Sequence, residues 1–181
     1  MATDIAPQRP APAEPTATAA RGLPLRLSVT PDGERCRLDG AWWPHSRDLK
    51  QELPPLVAEL DVRWGRITHA TVNRHLWPTI PGRVRTGVHT LRLGWFDAEQ
   101  DPYEISLFSY QVGRWDLLVV PPETDPDEAA RLMAAASGAG NRQSAGALLD
   151  PDSTSRWGSK RWDATAPRDW HGETATVFAA P

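Results

Sequence analysis

Cysteine is almost missing from this chain: Cys36 is the only one in 181 residues. No disulfide can therefore close within the chain, and no Cys-x-x-Cys zinc site exists. Long apolar runs are also lacking. Core runs such as Leu117 to Val120 are far too short to span a membrane. Met1-Ala2-Thr3-Asp4-Ile5-Ala6-Pro7 offers neither a basic n-region nor an apolar h-region, so no signal peptide is read there and a cytoplasmic protein with no membrane partner is expected. Positive charge is not in excess. The net charge of −3 argues against general binding of the whole protein to nucleic acid or to a membrane surface.

Catalytic signatures are absent too. There is no G-x-S-x-G elbow, no H-E-x-x-H and no glycine-rich phosphate loop, since Gly82 and Gly87 are too sparse. His45, His69, His75 and His89 have no metal-ligand spacing. His89 shares a strand face with Leu91, Leu93 and Trp95, where a hydrogen-bonded core histidine is the ordinary outcome. Cys36 lies on an apolar strand face, where a thiol is normally inert. His45 beside Asp39 or Asp48 is a conceivable general-base pair, but polar residues at a helix start are usually a cap and its neighbours. The sequence thus assigns no catalytic residue, metal or cofactor, and it leans away from an enzyme.

Tryptophan, by contrast, is plentiful. Nine of them, within a 40% hydrophobic composition, give the middle of the chain enough apolar area for one core. Residues 1–22 are mostly Ala, Pro, Thr and Gln and read as a disordered arm. A single α+β domain is expected over 23–137, and 138–181 reads as a largely disordered tail.

Alternation predicts a strand over 25–29 and a second over 36–38, joined as a hairpin by Pro31-Asp32-Gly33. Ser46 is a candidate N-cap for a helix bearing Leu49, Leu53, Leu56, Val57, Leu60 and Trp64, with a kink expected at Pro54 and Pro55. Strands follow at 66–72, 88–96, 103–110 and 114–120. Their short connections predict an antiparallel meander, and 73–87 reads as an irregular loop. The clearest helix starts at Asp125-Pro126 with Glu128 completing the box, and packs on the sheet.

The run from Leu38 to Asp48 sets Trp42 and Trp43 between a glycine turn and a helix start, as a packed hinge or a recognition surface. Trp43 and Trp77, in proline-flanked loops, are candidate pocket walls, whereas Trp95 and Trp115 favour burial. Charge is segregated. Six arginines and no acid lie between Val62 and Phe96, and nine acids lie between Asp97 and Arg131. The Arg block is either an anion-binding face or, more commonly, one side of cross-strand ion pairs. In the tail, Trp157 and Trp162 beside arginines either dock back or anchor a partner.

Leu38-Asp39-Gly40-Ala41-Trp42-Trp43-Pro44, Ser46-Arg47-Asp48-Leu49, Arg63-Trp64-Gly65-Arg66-Ile67 and the stretch from Gly113 to Pro126 (GRWDLLVVPPETDP) carry a resemblance. The chain resembles an uncharacterised actinobacterial domain-of-unknown-function family. That resemblance implies one compact cytoplasmic domain and adds no activity or catalytic residue.

The leading expectation is a non-enzymatic protein-interaction or regulatory module, its partner held by Trp42, Trp43 and the tail residues Trp157 and Trp162. The alternative is a small-molecule binding protein or enzyme whose pocket for an anionic or aromatic ligand is lined by Trp43, His45, Arg47, Trp77 and Arg85. Single-stranded nucleic-acid binding through arginines and exposed tryptophans on the sheet ranks last, because the chain is net acidic.

Overall fold

The computed structural model describes residues 23–31, 36–96, 100–110 and 113–150. The strands are β1 (Leu27–Val29), β2 (Gly40–Trp42), β3 (Ile67–Asn73), β4 (Arg83–Arg85), β5 (Thr90–Phe96), β6 (Glu104–Ser109) and β7 (Gly113–Val119). The helices are α1 (Leu49–Trp64), α2 (Pro126–Ala136) and α3 (Ala145–Leu149). All seven strands form one sheet, ordered β1-β2-β7-β6-β3-β5-β4.

The class is α+β, but the sheet is mixed rather than the expected antiparallel one. β2 runs parallel to β7 and β3 parallel to β5, while the remaining neighbours are antiparallel. β3 inserts between β6 and β5, so β5 and β6 are not neighbours and do not form the expected hairpin. Alternation identifies which face of a strand is apolar; it says nothing about which strand lies beside it. The strand paired with β1 is Gly40–Trp42, not the 36–38 segment. Gly40 has φ 152°, and a Cβ there would sit 2.2 Å from the Ser28 carbonyl oxygen. Only glycine lets β1 come this close.

Asp48, not Ser46, caps α1: its carboxylate accepts from the Lys50 amide at 2.9 Å. The Ser46 hydroxyl instead donates to Glu52 Oε1 at 2.7 Å, and the His45 amide donates to Glu52 Oε2 at 3.0 Å. The helix continues through Pro54 and Pro55. Neither proline can donate, and the carbonyls of Lys50 and Gln51 that lose a bond belong to residues that are not buried. α2 begins at Pro126 with Asp125 accepting from the Asp127 amide, and it ends at Ser137. The chain stays folded past the boundary read at 137. The Arg37 amide donates to Asn141 O at 2.7 Å, and the first turn of α3 is tied to the core by the Gly146 amide donating to Asp101 Oδ2 at 2.7 Å.

Two apolar layers result. Leu49, Leu53, Leu56, Val57 and Leu60 of α1 cover one sheet face, built from Trp42, Ala70, Val72, Leu91, Ile105, Leu107 and Leu117. On the opposite face, Ala129, Leu132 and Ala136 of α2 and Ala145 of α3 cover Ala41, Leu118 and Val120. That second cover is partial. α2 lies against β1, β2 and β7, and α3 against β7. No helix covers the half of this face built by β6, β3, β5 and β4 among the described residues. Asn73, Glu104 and Ser106 on it are nonetheless buried, the first and last bonded to Gln100, and the open part is the row from Arg83 to Phe108. No helix of the described residues is long and apolar enough to cross a membrane.

Candidate functional site: the open half of the sheet

The register places five side chains in one line across the open half. Arg83 on β4 pairs with Arg92 on β5, Arg92 with His69 on β3, His69 with Phe108 on β6, and Phe108 with Arg114 on β7. Residues opposite one another in a sheet point to the same side, and no member of the row is buried. With strands about 4.8 Å apart, the row is roughly 19 Å long. Arg85 extends the basic end, two residues along β4 from Arg83 and equally exposed.

Alternation explains the placement. β5 reads Thr90-Leu91-Arg92-Leu93, with the leucines buried beneath α1 and the polar residues outward. β4 does the same with Val84 buried between Arg83 and Arg85. The neighbouring row is small and hydroxylic: Gly94, Thr71 and Ser106. Phe96, at the end of β5, is 46% exposed.

Electrostatically the face has two ends. Among the described residues, Arg83, Arg85 and Arg92 form no ion pair. His69 is held below its ordinary pKa by partial burial and then by the Arg92 guanidinium, so near neutrality it is an uncharged ring beside a cation. At the other end, Arg114 is engaged. Its Nε donates to Asp116 Oδ1 at 2.8 Å, its Nη2 donates to Ser106 Oγ at 3.1 Å, and its guanidinium carbon lies 5.8 Å from the Phe108 ring centroid. Behind it sits a buried carboxylate group. Glu104, 3.1 Å from Arg37 and 3.5 Å from Arg114, is pushed up to about 7 by burial and then by Asp116. Asp39, which accepts from the Asp116 amide at 2.7 Å, is pushed up to about 6, chiefly by burial.

Most residues singled out from the sequence lie elsewhere. Trp42 is fully buried and stacks on Trp77 at 5.8 Å. Trp77, expected as a partly exposed wall, is only 4% exposed, because the loop after β3 folds it back against Trp42 in the core. Trp43 is half-buried beneath the Arg26 guanidinium, 3.5 Å from the ring centroid, and Arg26 also donates to the Trp43 and Pro44 carbonyls. His45 Nε2 donates to Pro24 O at 3.0 Å. Arg47 donates to Leu76 O at 2.7 Å and to Glu123. These contacts clamp the entrance of α1, and Arg85 stands apart from them on β4. A shallow cavity of about 420 Å³ lies at the β1 edge, lined by Leu25, Leu27, Ser28, Val29, Glu59 and Arg63. Arg85 alone of the named residues belongs to the open face. Trp157 and Trp162 lie outside the described residues.

Trp95, expected to be buried, is 44% exposed, because the cover from α1 ends before the last residues of β5. Trp115 is half-buried and stacks on Trp64 with centroids 4.8 Å apart. His89 is buried; its Nε2 donates to Ile67 O at 2.7 Å. The sequence reading missed Arg83, Arg92, His69 and Phe108 as a group. The signal was the acid-free block from Val62 to Phe96, but only the insertion of β3 beside β5 turns it into a surface. No cluster of three or more His, Cys, Asp or Glu among the described residues is arranged to hold a metal ion.

Residues 26–136 match the model of a protein family described as a family of unknown function. No curated protein and no solved structure matches the chain.

Proposed function

The chain belongs to that family, DUF5994, and from the geometry of its own sheet we propose that it is a non-enzymatic interaction module that holds an anionic macromolecule on the open half-face. One observation carries the reading. Arg83, Arg92 and His69 stand in one exposed row, and neither arginine has an acidic partner among the described residues. Like charges placed directly opposite in a sheet are destabilising, whereas an anion laid over them satisfies both guanidiniums through charge-assisted hydrogen bonds.

The length of the row supports a macromolecule over a small anion. A line of roughly 19 Å exceeds what one carboxylate or phosphate group can reach. A regulatory role in the cytoplasm, as expected from the sequence, belongs to the same proposal. So does the shift of the recognition surface away from Trp42, Trp43 and Trp77, which are used in packing.

The test is binding of the full chain to model polyanions, polyglutamate and heparin, at low and moderate salt. The expected result is salt-weakened binding that falls at least tenfold in the Arg83→Ala/Arg92→Ala variant. Binding unchanged in that variant, or no polyanion bound at low salt, would end the reading.

A further inference from the structure

We infer that the occupant of the open half-face is a single-stranded nucleic acid, an inference that rests on the preceding reading of this face as the anion-recognition surface. A merely acidic partner would use the cations and leave the rings idle. This row interleaves the two: Arg83, Arg92, His69, Phe108 and Arg114 follow one another across five strands. Cations beside accessible rings, here the exposed His69 and the half-buried Phe108, are what a single strand requires. Its phosphates need guanidiniums, and its unpaired bases need flat partners to stack on.

The second row fits the same occupant. Gly94 and Thr71 raise little bulk above the sheet beside the row, while Ser106 lies beneath Gln100 and Arg114, both of which donate to its hydroxyl. A Cβ on Gly94 would sit 3.4 Å from Thr71 Cγ2, so its absence keeps this stretch flat. Phe96, on the same face of β5 as Arg92 and Gly94, adds another exposed ring at 46% exposure. A duplex keeps its bases stacked inside and cannot use Phe108 or Phe96. It would meet the face through phosphates alone.

The acidity of the chain is no obstacle, because among the described residues no acid pairs with Arg83, Arg85 or Arg92. Glu123, Asp125, Asp127 and Glu128 lie at or just before the start of α2, on the helix that covers the other half. Asp116 and Glu104 stand at the far end of the row, tied to Arg114. A strand laid along the row therefore runs from unpaired cations toward carboxylates, which fixes where the phosphates sit: over β4 and β5, with bases over His69 and Phe108.

The experiment is fluorescence anisotropy of the full chain with labelled oligouridylate and oligothymidylate of about ten nucleotides, across a salt series. Three phosphate contacts, from Arg83, Arg85 and Arg92, give a log–log salt slope of about −2 for a single strand. Arg83→Ala/Arg92→Ala should weaken binding at least tenfold and make the slope about 1.4 shallower, without lowering the melting temperature. Phe108→Ala should weaken binding about tenfold with the slope unchanged, the mark of a lost stack, and Phe108→Tyr should keep the affinity if the alanine variant folds poorly. Arg131→Ala, on the exposed side of α2, should change nothing. Tighter uridylate than thymidylate binding would assign the strand to RNA, and the reverse to DNA. Binding to polyglutamate with none to either oligonucleotide would overturn the nucleic-acid inference and leave the anion reading standing. Binding to none of these would overturn both. Equal affinity for a duplex of the same length would overturn the single-strand assignment.

Discussion

Arg83 on β4 and Arg92 on β5 are direct cross-strand neighbours on the same exposed face. Sheets ordinarily place opposite charges or hydroxyls in such pairs, and a like pair costs a few tenths to about 1 kcal/mol. The positions are not forced to be arginine by packing, since the buried partners of the same strands, Val84 and Leu91, do the core's work from the other side. The pair is therefore held against its own folding energy.

Arg83→Thr should accordingly stabilise the protein by about 0.2–1 kcal/mol. Urea denaturation at low salt is the measurement. The gain should shrink at high salt, where the repulsion in the parent protein is already screened. A loss of stability at low salt would mean that Arg83 makes a favourable contact and that the row is not strained.

Trp77 and Trp43 should behave very differently on truncation. Trp77 is buried against Trp42 in the main core, so Trp77→Ala should cost about 3–5 kcal/mol. Trp43 is half-buried and held by Arg26, so Trp43→Ala should cost roughly 1–2 kcal/mol, from partial burial and the lost cation–ring contact. Denaturation midpoints of the two variants decide it. Equal losses would show that the sequence was right to treat the two tryptophans alike.

That contrast marks how far the sequence can be read. The stripe Leu49, Leu53, Leu56, Val57 and Leu60 announces its buried helix face, and the Asp125-Pro126 start announces α2. Local periodicity and caps are local physics. β4 was hidden, because three residues following Pro81-Gly82 look like more loop. Strand order was hidden for a different reason: Ile67, Ala70 and Val72 fix a face for β3, not its neighbours. The candidate site depends on that order. Arg92 and His69 come together because β3 lies parallel to β5, a long-range pairing with no signature in either segment. Only the uneven distribution of arginine and acid was visible beforehand.

Gly40→Ala tests the join between the N-terminal strand and the sheet. A Cβ there meets Ser28 O at 2.2 Å and Val29 Cα at 2.9 Å, on backbone at φ 152°. Neither obstacle is a side chain that can swing away. The substitution should cost at least about 2 kcal/mol and should expose the amides of β1 to hydrogen exchange faster than those of β3. Uniform protection in the variant would show that β1 is not anchored at this point.

Glu104 supplies the pH dependence. Burial, then the Asp116 carboxylate, raises it to about 7 in spite of Arg37 and Arg114. Its folded value thus lies above its ordinary 4.5. The native state holds the proton more tightly than the unfolded chain, so its stabilising contribution is complete below pH 4.5 and fades as pH rises through about 7. Asp39 adds the same trend between 3.8 and about 6. His69 opposes it: its lowered value favours the folded state above its ordinary 6.5 and loses that contribution as pH falls. A bare stability profile mixes these three, so the informative quantity is the difference between parent and Glu104→Gln. The variant should match the parent near pH 4, where Glu104 is largely protonated in both folded and unfolded chains, and exceed it near pH 8, where the parent must bury a charge. Urea denaturation at the two pH values measures this. If Glu104→Gln were instead less stable at pH 8, the pairs to Arg37 and Arg114 would outweigh burial, and the carboxylate would be an ionised anchor for the end of the row.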